Sequence, residues 1–315
     1  MPTKFTPIDL TGVKTYALAD RKSKVSTGEF AKTWRKGASL RDFLANLPDI
    51  LAGKQLKSVI SAMVKAQQDG RTILFGMGAH VIKVGLNPLV IDLMERGVIT
   101  GVAMNGAGII HDLELALVGQ TSEEVAAAID DGSFGMAQET SAFVAEALAT
   151  ADKNQTGLGE AMGRVILDKK LPMADQSILA AGARLGLPVT VHVAIGTDIV
   201  HMHPEFNAAQ AGAASHRDFR LFASLVASLE KGVYLNVGSA VILPEIFLKA
   251  ATLARNLGYP LSDFTTVNLD FIRHYRPLTN VIDRPTAKGG RGINLVGHHE
   301  ILLPLIAAGV VEEIE

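Results

Sequence analysis

Short apolar runs alternate with stretches of helical periodicity along most of this chain, and that alternation leaves few folds open to it. A strand of four to seven apolar residues with no polar partner face belongs inside a sheet covered on both sides. Thr72-Ile73-Leu74-Phe75 is such a run, and it breaks into Gly76-Met77-Gly78-Ala79-His80. It follows a helix over 55–68, whose apolar face is Leu56, Val59, Ile60, Met63 and Val64. The helix after it has Asn87 as a cap, Pro88 in its first turn, and the stripe Leu89, Val90, Leu93 and Met94.

The same unit recurs. Val98 to Met104 runs into Asn105-Gly106-Ala107-Gly108 and then Ile109-Ile110-His111-Asp112. Thr121 to Glu124 has the form of a capping box, Met136 to Ala151 is helical, Asp152 to Gly159 reads as a loop, and helix resumes from Met173 to Leu185. Val189 to Val193 is a strand that empties into Gly196-Thr197-Asp198-Ile199-Val200-His201-Met202-His203. Further strands lie at 232–237, 264–269 and 293–296, with helices over 219–229, from Gly238-Ser239 onward, and over 300–308. The polar segment from Asp270 to Gly292, with Arg273, His274, Arg276, Arg284, Lys288 and Arg291, reads as a long loop or lid. The expected architecture is α/β, a doubly wound and mostly parallel sheet of about six strands. Residues 1–54 form an amino-terminal extension and residues 55–315 a single domain.

Composition narrows the chemistry. With no cysteine, the chain has no disulfide, thiolate metal site or cysteine nucleophile, which fits a cytoplasmic protein. Thirty basic residues against 32 acidic ones give no broad field for nucleic acid or an anionic membrane. Met1 to Ala19 has no apolar core of the kind a secretory signal needs. A small-molecule substrate is the partner left. Ligands of such sheets bind beyond the carboxyl ends of the strands, and most of the nine histidines fall along predicted strands or at those ends. His80, Asn105, His111, Asp112, Asp198, His201, His203, Asn268, Asp270, His298 and His299 all fall in this layer. His201-Met202-His203 with Asp198 also has the composition of a divalent metal site, or of two hydrogen-bonded loop histidines. Lys288, followed by two glycines, is the candidate amine nucleophile or an exposed loop residue.

The order of these motifs resembles the deoxyhypusine synthase family, from about Leu56 to Ala308. Gly85 to Leu117 is similar to the stretch in which that family places a helix, a strand and a TAGG turn before an acidic pair. Gly106, Ala107 and Gly108 match the turn; His111 and Asp112 fall at the pair. Leu187 to Asp198 resembles the family's IPVFSPALTDGS segment, and Val267-Asn268 its IN strand end. The resemblance implies a Rossmann-like fold, NAD held across Gly76, Gly78, Ala79, His80, Asn105, Gly106, Ala107, Gly108, Asp112, Asp198, Gly238, Asn268 and His298, and a homotetramer. It implies a transferase acting on an amine or related small substrate, with Lys288, His111 and His201 as catalytic candidates. Pro244-Glu245-Ile246-Phe247 stands where the family has Lys-His-His, and a histidine replaces an acid at the pair. Those departures argue against deoxyhypusine synthesis itself and for a less cationic substrate. A metal-dependent hydrolase or lyase built on His201, His203 and Asp198, and a non-catalytic nucleotide-binding protein, are the alternatives.

Overall fold

The computed structural model describes residues 4–314. Its sheet has six strands, β1 (Ile73–Met77), β2 (Gly101–Asn105), β3 (Val189–His192), β4 (Val233–Val237), β5 (Thr265–Asp270) and β6 (Arg291–Val296). Every pairing is parallel and the order is β3-β2-β1-β4-β5-β6, the Rossmann order with its switch point between β1 and β4. The helices are α1 (Leu40–Asn46), α2 (Leu51–Gln68), α3 (His80–Lys83), α4 (Asn87–Glu95), α5 (Gly106–Val118), α6 (Val125–Asp131), α7 (Gln138–Asn154), α8 (Leu158–Asp168), α9 (Ile178–Leu185), α10 (Ala208–Ala227), α11 (Ile242–Asn256), α12 (Tyr275–Pro277), α13 (Arg284–Thr286) and α14 (His299–Ile314). A π-helical turn, Leu278–Asp283, joins α12 to α13. Among the described residues, no helix is long and apolar enough to cross a membrane.

Two apolar layers hold the sheet, as the period-two geometry of strands requires. Ile73, Phe75 and Met77 of β1 point into the larger layer, built with α2, α4, α5, α7, α8, α9 and α14. Leu74 of β1 and Tyr234 of β4 point the other way, against α10, α11 and Val281 of the π-helical turn. The chain thus winds outward through β1, β2 and β3 mainly under the first layer, returns by α10, and winds outward again through β4, β5 and β6 under the second.

Several elements differ from the pattern-based expectation. The span expected as a loop up to Gly159 already contains the start of α8, a helix that the pattern hid because Gly159 and Gly163 occupy it. Both glycines are packing positions: an added Cβ would lie 1.9 Å from the Val189 carbonyl oxygen at Gly159 and 2.3 Å from that of Leu179 at Gly163. The expected capping box at Thr121–Glu124 does not form, since α6 starts after Glu124 without a side-chain cap and the Thr121 hydroxyl is bonded elsewhere. The polar segment after β5 is largely helical through α12, the π turn and α13. Helix α2 begins at Leu51, helix α10 starts eleven residues before the predicted Phe219, and α14 continues to Ile314.

Candidate functional site

A pocket of about 240 Å³ lies beyond the carboxyl ends of β1, β2 and β3. Its wall from the β1 exit is Lys83 of α3; from the β2 exit, Ala107, Ile110, His111 and Glu114 of α5; from the β3 exit, Thr197, Asp198 and Ile199; and Ser122, Glu123, Val125 and Phe134 close it. Three carboxylates and one ammonium therefore face the same space. Asp198 accepts a hydrogen bond from the Ala194 amide (3.2 Å) and lies against the first turn of α5, where a negative charge meets the positive end of the helix. Burial raises its carboxyl above the ordinary range against that hydrogen bond and His201. Glu123 accepts from the Gly135 amide at 2.8 Å.

His111 and Glu114 are three residues apart on one face of α5, so their side chains meet. Between them stands Thr121, brought back by the turn that follows the helix. Its Oγ1 is 2.6 Å from His111 Nδ1 and donates to Glu114 Oε2 at 2.5 Å; the Thr140 hydroxyl donates to Glu114 Oε1 at 3.2 Å. Burial by itself raises the Glu114 carboxyl, but the nearby His111 imidazole and the hydroxyls of Thr121 and Thr140 hold it below the usual range. A carboxylate only accepts, so the single Thr121 proton points to Glu114 and Thr121 must accept from the imidazole. The hydrogen-bond partners thus assign the His111 proton to Nδ1. Nε2 makes no hydrogen bond within the described residues and carries the free lone pair on a pocket-lining side chain. An imidazole oriented through Nδ1 with Nε2 open is the arrangement of a general base.

No family model matches the chain and no curated protein matches it. Solved structures do. The ternary complex of AgrE with ornithine and NAD+ superposes with a TM-score of 0.54 at 13% identity, covering 89% of this chain and 34% of that one. ArgZ, an arginine dihydrolase from the ornithine-ammonia cycle in cyanobacteria, gives 0.51 at 13%, covering 82% and 31%. A candidate deoxyhypusine synthase from Entamoeba histolytica gives 0.52 at 14%, covering 90% of this chain and 96% of that one. The resemblance in sequence is a resemblance in fold. The chain spans about a third of the length of AgrE and of ArgZ.

Within this deoxyhypusine synthase-like fold, many of the residues expected to hold NAD have other work. A pyrophosphate needs a backbone cradle, approached over glycine at a helix amino terminus. At Gly106 that seat is filled by the chain itself, since an added Cβ would lie 2.0 Å from Asp198 Oδ2. Gly76 is inside β1 and makes room for the Tyr234 ring; Gly78 packs on the Gly238 carbonyl, Gly108 on Met104, and Gly238 beneath the His299 ring. Asn105 caps α5 through the Gly108 amide. Asn268 is the middle of a ladder across the sheet, accepting from Asn236 Nδ2 and donating to Asn294 Oδ1, both at 2.8 Å. Asp112 is wholly buried and receives Ser177 Oγ, Asn87 Nδ2 and the amides of Ile178 and Leu179, which fixes the start of α9; burial pushes its carboxyl up to about 6 against those bonds. In this structure Asp198 therefore occupies the approach to α5 that a pyrophosphate would use. Ala107 lines the pocket just described, while Ala79, His80 and His298 sit near the switch point, where the rings of His80, Phe271, His298 and His299 cluster.

The catalytic candidates separate in the same way. His111 is in the pocket. Lys288 is exposed on the turn before β6, at the amino edge of the sheet and so on the side away from every strand exit, and it does not line this pocket. His201 accepts the Gly196 amide on Nδ1 (3.1 Å), which leaves its proton on a buried Nε2 without a partner, a poor disposition for a base. His203 Nε2 turns away to the Gly135 carbonyl at 2.7 Å. The HxH pair therefore diverges, and among the described residues no group of three or more His, Asp or Glu side chains could hold a metal ion. Lys83, Glu114, Thr121 and Glu123 were absent from the sequence expectation. The spacing of His111 and Glu114 was a visible signal; the return of Thr121 depends on the turn after Gly119 and had none.

Proposed function

We propose that this protein is an enzyme that takes a small amine-bearing substrate into the pocket over β2 and moves a proton from it with His111 as general base. The observation that carries the reading is the bonded series Glu114, Thr121, His111, which fixes the imidazole with Nε2 unpartnered on a side chain that lines the same pocket as Glu123 and Asp198. Carboxylates lower the cost of desolvating an ammonium group and repel phosphates and carboxylates. The pocket acids thus restore the preference for a cation that the altered acidic pair had argued against. Group transfer from an amine, the reaction class implied by the resemblance, fits this site, and a fold shared with a protein crystallised with ornithine supports the same substrate class.

Calorimetry with diamines, polyamines and basic amino acids tests the reading. Amines should bind and their N-acylated or anionic analogues should not. Glu123→Gln should weaken amine binding about tenfold, equivalent to roughly 1.4 kcal/mol. His111→Gln should keep binding and lower turnover of the bound amine by about 10²–10⁴-fold. Preference for anions, or full turnover in His111→Gln, would sink it.

A second reading, NAD dependence, is favoured by the strand order and by the NAD+ complex of AgrE. In this chain it requires Asp198 to leave the seat at α5. Under that reading Asp198→Ala binds NAD more tightly than the wild type; equal or weaker binding counts against it.

A further inference from the structure

The Glu114–Thr121–His111 series crosses the wall between two pockets. His111 lines the pocket over β2, and Thr121 lines a second, more open one of about 470 Å³, formed with Leu117, Val118, Glu139 and Thr140. Glu114 lines both. A relay that only oriented the imidazole would work equally well with its carboxylate sealed in the core. Here the carboxylate at the far end of the series also borders the second pocket, where Thr140, which lines that pocket alone, donates to its Oε1.

We infer that Thr121 and Glu114 form a proton exit, through which a proton taken up by His111 is passed to solvent in the second pocket without crossing the substrate pocket. The inference rests on His111 acting as the base proposed above. The proton balance closes without any further reactant. As Nε2 takes a proton from the substrate, the Nδ1 proton moves to Thr121 Oγ1 and the Thr121 hydroxyl proton moves to Glu114 Oε2. The imidazole stays neutral with its proton on Nε2, and the Glu114 carboxyl gives its proton to water in the second pocket. The return movement begins when Glu114 takes a proton back from water in the second pocket; that proton moves to Thr121 Oγ1 as the Thr121 hydroxyl proton moves to Nδ1 and Nε2–H protonates the product, which restores the starting state.

The geometry supports each hop. Both links are short, at 2.6 and 2.5 Å, and the direct His111 Nδ1 to Glu114 Oε2 separation of 3.7 Å is too long for a hydrogen bond. The hydroxyl is therefore an obligatory carrier, and Thr121 is a positioning residue for His111 and not a group that touches substrate.

Nitrogen-15 NMR of the full chain labelled at histidine tests this without any substrate. The wild type should show His111 as the Nδ1–H tautomer, with that proton exchanging with water. Thr121→Val, which keeps the shape and removes the hydroxyl, should abolish the Nδ1–H preference and slow the exchange about tenfold or more; Thr121→Ser should restore both. Glu114→Gln, which cannot take up a proton, should slow exchange as well. An Nε2–H tautomer in the wild type overturns the inference, as does unchanged exchange in Thr121→Val or, should that variant not fold, in Glu114→Gln. If the NMR behaviour is as expected but His111→Gln turns over amines at the wild-type rate, the relay stands and the proposed function falls.

Discussion

Asp218, on α10, is buried with Oδ2 accepting the amides of Gly159 (3.1 Å) and Val191 (3.0 Å), while Oδ1 has no partner and lies 1.8 Å from where a Cβ on Gly157 would be. Burial pushes its carboxyl up to about 7, against the backbone amides of Val191, Gly159 and Leu158. A folded-state value above the unfolded one means that the native chain binds the proton more tightly, so the stabilisation is complete below about pH 4 and is lost as pH rises through 7. Asp218→Asn keeps an accepting oxygen for both amides and does not titrate. The unfolding free energy of the wild type relative to this variant should therefore fall between pH 4 and 7 by about 1.4 kcal/mol per unit, measured by urea denaturation at several pH values. A constant difference would show that Asp218 stays ionised. At Lys288 the expectation is the reverse of a catalytic role: Lys288→Ala should leave amine binding and turnover unchanged, because the side chain is exposed at the opposite edge of the sheet. That several of the expected cofactor residues pack against the chain itself has a common physical cause. A polar residue after a strand looks the same in sequence whether it serves a ligand or, like Asp112, the start of another helix sixty-five residues away.

The strands were legible because each is a short apolar run closed by a glycine or polar turn, and parallel order followed from the intervening helices. Register was not. Only the sheet shows that Asn236, Asn268 and Asn294 share one row on β4, β5 and β6, so that each carboxamide can pass a hydrogen bond to the next strand. Asn236 Nδ2 also donates to the Ser239 carbonyl (2.9 Å), which ties the ladder to the β4 exit and the start of α11. Asn268→Leu has nearly the same volume but would leave a buried donor on Asn236 and an acceptor on Asn294 without their partner. A loss of about 2–4 kcal/mol is expected, the cost of one or two unsatisfied buried groups, and chemical denaturation would measure it. A loss below about 1 kcal/mol would mean that Asn236 and Asn294 find other partners. Helices were less legible where glycine is a contact and not a breaker. Gly159 and Gly163 let α8 approach β3 and α9 more closely than a side chain allows, and the same residues suggested a loop.

The segment before α1 is the part of the molecule with the most exposed apolar surface and no element to pack it. Residues 4–39 form no strand and only two single-turn 3₁₀ helices, yet they carry Ile8, Leu10, Val13, Tyr16, Leu18, Val25, Phe30 and Trp34, each more than half exposed. Its far end is fixed to the domain by the Asp49 amide to the Glu29 carbonyl, the Lys32 amide to the Asn46 carbonyl and the Trp34–Phe43 ring contact. Apolar side chains spread along an arm with no core of its own are left in water unless another surface covers them. The domain offers such a surface near the strand exits, where Phe271, Ile272, Tyr275, Val296 and Ile301 are also exposed. A second copy of the chain meets the requirement symmetrically, since each copy supplies both an arm and a rim. The prediction is a homo-oligomer whose assembly depends on the arm. Light scattering coupled to gel filtration should give a multiple of the monomer mass for the full chain. A variant lacking residues 1–25 should shift to a smaller species while keeping its circular dichroism, because the contacts at Glu29, Lys32 and Trp34 remain. A monomer in both would mean that the arm binds something other than its own kind. An unchanged oligomer after deletion would place the interface on the rim alone.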